Sequence, residues 1–246
     1  MEQRPLNLPT IDVAVWRVDL DAFVASTPIL WPTLSPAEHE RAARFRSERD
    51  RGRFVVRRAA LRSILGLLLR RPPADVTLAK AASGKPFVPG ERAVRFNVTD
   101  SASLALIAVA PEHDVGVDLE RLDRSHGAEE VARHFFAAAE VAELERLPPA
   151  IRWRAFLHCW TRKEAYVKAR GQGLSLGLDT FDVSLALGGP PEPVRTTAEP
   201  DADERWSVYG FTPAADYAAA LAVEGRPWRL VWRQLPERLE GCSPGK

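Results

Sequence analysis

DVGVDLE, residues 114–120, is the stretch of this sequence that decides how its second half folds. Side chains alternate between the two faces of a β-strand, and the apolar residues here fall on one face: Val115, Val117 and Leu119. The other face carries Gly116, Asp118 and Glu120, so two carboxylates project side by side and repel each other unless a cation lies between them. The pattern predicts a strand whose acidic face is either a solvated sheet edge or part of a cation site.

Strands and helices alternate on both sides of this segment. Strands are predicted over residues 11–20, 74–81, 93–97, 104–110, 114–120, 180–187, 205–211 and 216–224. Helices are predicted from Ser35 to about Gly66, over 128–146 with an interruption near Phe135–Ala139, and over 151–170, where Gly171 ends the helix. The stretch 188–204 is rich in proline and acidic residues and is predicted to be an exposed loop, and the last dozen residues a loose tail.

The two halves of the chain share a faint pattern. A helix followed by ASLALIAVA (102–110) resembles a helix followed by DYAAALAVE (216–224). Two related α/β halves would explain this similarity, and chance similarity between apolar strands explains it equally well.

Composition excludes several classes of protein. The 246 residues are 46% apolar and 27% charged, which argues against a disordered or collagen-like chain. Lys and Arg number 34 against 33 Asp and Glu, without the basic excess of a general nucleic-acid binder. The two cysteines, Cys159 and Cys242, fit neither a disulfide scaffold nor a zinc cluster, and the five histidines lack metal-site spacing. With no signal-peptide pattern and no spanning apolar run, we expect a soluble cytoplasmic protein.

The segment WTRKEAYVKARGQG (160–173) places chemistry on a predicted helix. Trp160, Glu164 and Lys168 are four residues apart and form one stripe. Glu164 and Lys168 are either an ordinary surface ion pair or a carboxylate and an ammonium group that handle a proton. Lysine is rare in this chain, with five Lys against 29 Arg, and three lysines lie in candidate segments: Lys85, Lys163 and Lys168.

A second candidate feature is basic. Residues 38–62 contain nine arginines and four acidic residues. This segment is either a solvated helix face or a surface that binds phosphates or an acidic partner.

Five motifs, taken in order, resemble the 4′-phosphopantetheinyl transferase superfamily, in its surfactin-synthetase-activating (Sfp-like) monomeric branch. They are GKPFVPG (84–90), FNVTDS (96–101), GVDLE (116–120), FFAAAE (135–140) and WTRKEAYVKARGQGLSL (160–176). The resemblance covers about residues 36–224. It implies an α+β (α/β) fold of two similar halves related by pseudo-two-fold symmetry, with the active site between them. Residues 1–112 would then form the half that binds coenzyme A phosphates, residues 113–234 the half with metal and catalytic residues, and 235–246 a tail.

The resemblance also implies an activity. Family members transfer the phosphopantetheine arm of coenzyme A to a serine of an acyl or peptidyl carrier protein, with Mg²⁺, and release adenosine 3′,5′-bisphosphate. The expected partners are a carrier protein and coenzyme A, with no nucleic acid or membrane, and the expected state is a monomer. One alternative is a non-catalytic module of the same fold that binds coenzyme A or a carrier protein, and a weaker one is a nucleic-acid binder that uses the arginine-rich helix.

Site residues follow from the matched motifs. The resemblance assigns the metal to Asp118, Glu120 and Glu164, and catalysis to Glu164, Lys168 and Asp118. Glu164, or a water that it orients, would take the serine proton, and Lys168 would stabilise the pyrophosphate. The residues expected to bind coenzyme A are Arg53 first and then Arg49 in the arginine-rich segment, with Lys85, Thr99, Asp100, Lys163 and Lys168. The segment after Gly171 would meet the carrier protein.

One position departs from the family pattern. Thr99-Asp100-Ser101 stands where family members usually have Ser-His-Ser. A histidine can donate a hydrogen bond to a phosphate, whereas an ionised Asp100 can only accept one and repels the phosphate. Either Asp100 contacts a ribose or adenine donor, or a nearby arginine compensates for its charge.

Overall fold

A computed structural model describes residues 11–123, 127–186, 188–196, 199 and 201–235. Within these residues the strands are β1 Ile11–Asp19, β2 Ala79–Lys80, β3 Pro86–Phe87, β4 Val94–Ser101, β5 Leu104–Pro111, β6 Val115–Arg121, β7 Phe181–Asp182, β8 Glu192–Pro193, β9 Arg195–Thr196, β10 Trp206–Phe211, β11 Tyr217–Glu224 and β12 Trp228–Arg233. The α-helices are α1 Thr27–Leu30, α2 Pro36–Ala43, α3 Glu48–Leu69, α4 Ala128–Phe135, α5 Ala138–Arg146, α6 Pro149–Arg170 and α7 Ala202–Arg205.

Two four-stranded sheets organise these elements. The first has the strand order β12-β1-β5-β4 and the second the order β6-β11-β10-β8. All neighbours are antiparallel except β12 and β1, which are parallel. The strands β5 and β11, which contain the two similar apolar sequences, hold inner positions in their sheets. This correspondence supports two related halves, and their pseudo-two-fold symmetry stays a prediction.

The alternation of side chains along the strands builds four layers: α3, the first sheet, the second sheet and α6. In β5, Leu104, Leu106 and Ala108 face the core between the sheets, and Ala105 and Ile107 face the core that contains α3. Burial on both sides explains why β5 is apolar throughout. The predicted apolar face of β6 likewise packs between the sheets, through Val115, Val117 and Leu119.

Side chains join the two sheets where no backbone ladder is formed. The Oδ1 atom of Asn97, on the edge strand β4, accepts a hydrogen bond from the backbone N–H of Val117 in β6, at 3.0 Å. Asn97 is buried, so this bond also satisfies a polar group that would otherwise be costly to bury. The edges of the two sheets are therefore held side by side.

Capping residues divide the arginine-rich segment into two helices. Ser35 begins α2 with a capping box, in which its hydroxyl accepts from the Glu38 N–H and the Glu38 carboxylate accepts from the Ser35 N–H. Ser47 begins α3 by accepting from the Asp50 N–H. The prediction of one continuous helix from Ser35 to Gly66 is therefore wrong at residues 44–47, because a second N-cap competes with helix continuation.

Some elements differ from the predictions in length. The strand predicted over 74–81 is only Ala79–Lys80, and that over 180–187 is only Phe181–Asp182. The predicted loop 188–204 contains the short elements β8, β9 and α7. Most of the predicted tail lies outside the described residues. No helix among the described residues is both long and apolar enough to span a membrane.

The strand β12 was not predicted, and it bears on the division of the chain. It pairs with β1, from Ile11 opposite Trp228 to Trp16 opposite Arg233. Part of the predicted second half, 113–234, thus completes the sheet of the first half. The division of the chain near residue 112 remains a prediction. The strand β12 departs from it, because it follows residue 112 in the chain but belongs to the first sheet.

Candidate active site

Hydroxyl groups of β4 face carboxylates of β6 where the sheets meet. The Thr99 hydroxyl lies 3.4 Å from Oδ1 of Asp118, and the Ser101 hydroxyl donates to Oε2 of Glu120 at 3.2 Å. Residues two apart on a strand share a face, so one face of FNVTDS contacts the acidic face of DVGVDLE. The acidic face is therefore not a solvated sheet edge, which corrects the simpler of its two interpretations.

Asp118 is the most enclosed of the carboxylates at this junction, with a relative exposure of 4%. Its Oδ1 accepts from the ammonium group of Lys168 on α6 at 2.5 Å, and the same ammonium group lies 3.3 Å from the Thr99 hydroxyl. Its Oδ2 is buried and has no hydrogen-bond partner among the described residues. One oxygen is thus paired with a cation and the other remains available to a ligand or a metal ion.

Glu164 and Glu120 complete the acidic group. Burial, and then the negative charge of Asp118, raise the pKa of Glu164 above its usual range. Burial and the charge of Asp118 also raise the pKa of Glu120. Both shifts have the same causes, burial and the charge of a neighbouring carboxylate, and the ammonium group of Lys168 offsets them only in part.

The three acids fit a hard divalent cation in chemistry but are not assembled as a cage. No group of three or more His, Cys, Asp or Glu side chains in the described parts of the chain converges tightly enough to hold a metal ion. The unpartnered Oδ2 of Asp118 and the raised pKa values of Glu120 and Glu164 are nevertheless features that a bound cation would stabilise. Oxygen donors of this kind suit Mg²⁺.

A groove runs from Glu164 across the edge of β4. A cavity of about 360 Å³ contains Glu164 and Lys168, and a second of about 570 Å³ lies toward α3. The cavities share three lining residues: Gly84, Pro86 and Val98. Five cationic side chains line the second cavity, which has Glu38 as its carboxylate: Arg41, Arg57, Arg58, Arg62 and Lys80. The groove therefore has one end with Glu164 and Lys168 and another, cationic end.

Lys85 ties the GKP loop to the end of α6. Its ammonium group donates to Asp114 at 3.1 Å and to the Ala169 carbonyl at 2.6 Å. Burial lowers the pKa of Lys85, and Asp114 partly offsets this effect. Lys85 lines the smaller cavity, so it lies near the predicted ligand. Its ammonium group is already paired with the Asp114 carboxylate.

The two arginines predicted to bind phosphate lie elsewhere. Arg49 and Arg53 both donate to the carboxylate of Asp21, each at 2.7 Å. Their guanidinium groups pull the pKa of Asp21 far below its usual range. Neither arginine lines the groove, and the structure gives their predicted role no support.

Lys163 does not belong to the site. Its side chain is completely buried, and its ammonium group pairs with Glu140 at 2.6 Å and donates to the carbonyls of Leu178 and Phe181 at 2.7 Å. All three N–H groups of the ammonium therefore have partners inside the core. The prediction that Lys163 binds coenzyme A is wrong, because its side chain points away from the groove into the protein.

Comparison with known proteins identifies the chain. The family model described as "4′-phosphopantetheinyl transferase superfamily" matches residues 114–222, and "4′-phosphopantetheinyl transferase, N-terminal" matches residues 21–112. The 4′-phosphopantetheinyl transferase HetI of Nostoc sp. is 35% identical over 92% of this chain and 94% of its own length. This chain belongs to the 4′-phosphopantetheinyl transferase superfamily.

Further relatives agree with this assignment. A 4′-phosphopantetheinyl transferase of Bacillus subtilis is 29% identical over 78% of this chain and 87% of its own length. The 4′-phosphopantetheinyl transferase Sfp of Bacillus subtilis strain 168 is 28% identical over 63% of this chain and 68% of its own length. The chain is thus an enzyme that transfers the phosphopantetheine group to carrier proteins, and the family uses coenzyme A as the donor.

Sequence reasoning did not single out two residues that the structure places beside the candidate site. Ser101 follows Thr99 by two positions, so strand alternation could have placed both beside β6. Arg57 follows Arg53 by one helical turn, and it contacts Asp100 at the cationic end of the groove. The spacing of the arginines indicated a stripe along α3, but only the fold shows which member reaches the groove.

Proposed function

We propose that this transferase is Mg²⁺-dependent, that Asp118, Glu120 and Glu164 hold the ion, and that adenosine 3′,5′-bisphosphate is the second product. The observation that carries the proposal is the buried, unpartnered Oδ2 of Asp118. The other oxygen of this carboxylate binds Lys168, which lines the same cavity as Glu164. When bound, Mg²⁺ would neutralise charge on the phosphate oxygens during transfer.

Lys168 would act on the pyrophosphate of coenzyme A. Its ammonium group is held between Asp118 and Thr99, so it is oriented before the substrate binds. An ammonium group in this position can donate a hydrogen bond to the pyrophosphate oxygen that departs with adenosine 3′,5′-bisphosphate. Lys85, which lines the same cavity, and Thr99, whose hydroxyl lies 3.3 Å from this ammonium group, would contact the ligand beside it.

Glu164 would accept the proton of the carrier-protein serine as its oxygen attacks the phosphorus. The Glu164 carboxylate accepts no hydrogen bond from the described residues, and Glu164 lines the smaller cavity. Burial and the charge of Asp118 raise its pKa, which makes it a stronger base than an exposed glutamate. The transferred proton then resides on Glu164 or passes to a water that it orients.

The remaining parts of the proposal concern partners and state. The carrier would be an acyl or peptidyl carrier protein that contacts the segment after Gly171. Carrier proteins of this kind are acidic, and the arginine-rich surface would favour encounter with them. A monomeric state and a cytoplasmic location remain predictions.

Mass spectrometry of an apo carrier protein tests this function. Incubation with coenzyme A and Mg²⁺ should add about 340 Da, the mass of the phosphopantetheine arm, to the carrier. We expect Glu164→Gln to lower the transfer rate by at least about 100-fold, within the range for a lost general base, with nearly unchanged thermal unfolding. Glu143→Gln, at an exposed position of α5, is the matched control and should keep full activity.

Two results would contradict the proposed roles. Full activity of the Glu164→Gln variant would remove Glu164 as the base. Activity that survives complete chelation of divalent ions would remove the metal. A second readout is the thermal shift with coenzyme A and Mg²⁺, which we expect in the wild type and not in Asp118→Asn.

A further inference from the structure

Arg57 is held in a fixed position at the cationic end of the groove. It lies on α3, its Nη1 contacts the carboxylate of Asp100 on β4, and its guanidinium lies 5.7 Å from the ring centroid of Phe54. The remaining donors of the guanidinium are unused: Nε is buried without a partner, and Nη2 donates to no acceptor among the described residues. Arg57 is therefore oriented by one contact and has donors left for a ligand.

The neighbouring arginines are already committed. Arg58 and Arg62 both bind the carboxylate of Glu38, and Arg62 also donates to the carbonyls of three residues, Pro73, Ala74 and Val76. These contacts hold α2 and α3 together, which is a structural task. Arg41 and Lys80 also line the cavity, but their side chains are exposed and make no ion pair in the described structure. Arg57 combines partial burial, orientation and free donors.

The effect of Asp100 on a nearby phosphate depends on whether the carboxylate is isolated or paired with an arginine. An isolated carboxylate beside a phosphate group would repel it, which makes Asp100 unfavourable where family members have a histidine. Here the carboxylate faces Arg57, so its charge is neutralised locally and it fixes the guanidinium through a charge-assisted contact. The pair presents N–H donors to the groove, as a histidine would.

From these contacts we propose that Arg57, positioned by Asp100, binds the ribose 3′-phosphate of coenzyme A, in place of the predicted Arg49 and Arg53. This inference rests on the proposed function, which places the pyrophosphate beside Lys168. Thr99 and Asp100 are adjacent on β4 and so lie on opposite faces, with Lys168 on one side and Arg57 on the other. The phosphate that lies apart from the pyrophosphate is the one on the ribose.

Calorimetric titration of the full chain with coenzyme A and with 3′-dephospho-coenzyme A tests this assignment. Loss of a charged hydrogen-bond partner should weaken coenzyme A binding by roughly 10- to 100-fold in Arg57→Ala. Binding of 3′-dephospho-coenzyme A should change less than about threefold, because that ligand lacks the phosphate in question. Arg51→Ala, on the solvent side of the same helix, is the control and should bind both ligands as the wild type does.

The proposed role of Asp100 predicts that Asp100→Ala changes the affinity for coenzyme A in opposite directions in two backgrounds. Asp100→Ala in the wild-type background should weaken coenzyme A binding, because Arg57 loses its orientation. The same substitution added to Arg57→Ala should strengthen binding at least about threefold relative to Arg57→Ala, because it removes an unpaired negative charge beside the phosphate. A residue that only supported the fold would not reverse its effect in this way.

Three outcomes would overturn the inference: coenzyme A binding by Arg57→Ala within threefold of the wild type, equal losses for both ligands, or the same effect of Asp100→Ala in both backgrounds. Thermal unfolding of every variant identifies any that fails to fold, and Arg57→Lys, which keeps the charge but loses the fork of donors, then replaces Arg57→Ala. We expect Arg57→Lys to bind coenzyme A between the two. Failure of the wild type to modify any carrier protein would instead count against the proposed function, and the calorimetric result would still stand.

Discussion

The two long helices of this transferase have the same length and cover the outer faces of the two sheets, yet they contribute different side chains to the groove. The helices α3 and α6 each have 22 residues, and each packs on the outer face of one four-stranded sheet. Large apolar side chains such as Phe54 and Ile64 separate α3 from the first sheet. The helix α6 lies so close to β6 that a Cβ atom on Gly116 would be 2.0 Å from the Ala165 carbonyl oxygen.

The difference in spacing explains where the chemistry lies. The close contact between α6 and β6 brings the Lys168 ammonium group to Asp118 and leaves Glu164 at the same junction. The wider spacing of α3 lets its arginines extend to the rim of the sheet, where a groove forms beside β4. In the proposed function, one helix–sheet pair supplies the reacting groups, and the other supplies cations for a bound anion.

The largest expected effect comes from closing the contact at Gly116. Gly116→Ala would place a methyl group 2.0 Å from the Ala165 carbonyl oxygen and 2.4 Å from the Ala169 N–H nitrogen, and both belong to helix backbone that cannot move alone. We expect a loss of about 5 kcal/mol or more in the free energy of unfolding, at the upper end for overpacking. Denaturant unfolding followed by circular dichroism measures it.

Gly52 on α3 is the matched control. The atoms that a Cβ atom there would meet first are all side-chain atoms of Val24, the nearest at 2.9 Å, and alanine favours a helix over glycine by about 1 kcal/mol. Gly52→Ala should therefore change stability by no more than about 1 kcal/mol. Equal losses at the two glycines would show that the spacing of the two helices is not the cause.

The fold shows which features can be predicted from sequence alone and which cannot. The alternation in DVGVDLE correctly predicts which side chains of β6 share a face, because strand geometry is local. The strand β12 could not be predicted in this way, since it is held by pairing with β1, more than 200 residues earlier in the chain.

The candidate site shows the same division between local and tertiary information. The family resemblance places Asp118 and Lys168 in one site, and in the structure their side chains are in contact. The resemblance could not separate Lys163 from Lys168, because both belong to one motif on one helix. Five residues correspond to about 1.4 turns of an α-helix, so the two side chains leave the axis in different directions, one into the core and one into the groove.

A smaller effect is expected from the buried ion pair of Lys163. Lys163→Met would leave the carboxylate of Glu140 buried, with the backbone N–H groups of Ala137 and Val183 as its remaining donors. We expect a loss of about 3 kcal/mol in the free energy of unfolding, as for other buried pairs that lose one partner. Thermal and denaturant unfolding of the variant measure this loss.

A double variant and a binding assay complete this test. Adding Glu140→Gln to Lys163→Met should recover part of the loss, because it removes the unpaired charge. Under conditions where Lys163→Met is folded, its affinity for coenzyme A should equal that of the wild type. A reduced affinity in the folded variant would return Lys163 to the binding site.

The smallest effect is a pH dependence that belongs to α6 and not to α3, which contains no histidine. Burial, with the nearby charges of Arg162 and Arg154, lowers the pKa of His158 to about 4 from the 6.5 that is usual for histidine. Between these two values the unfolded chain binds a proton at this residue and the folded protein does not, so stability falls as the pH falls from 6.5 toward 4 and this contribution stops changing below 4. We expect about 2 kcal/mol of the acid-induced loss to come from His158, and His158→Gln should remove that part of the slope when unfolding is measured at intervals between pH 7 and pH 4. An unchanged slope in the variant would show that other groups, such as the carboxylates, account for the whole loss.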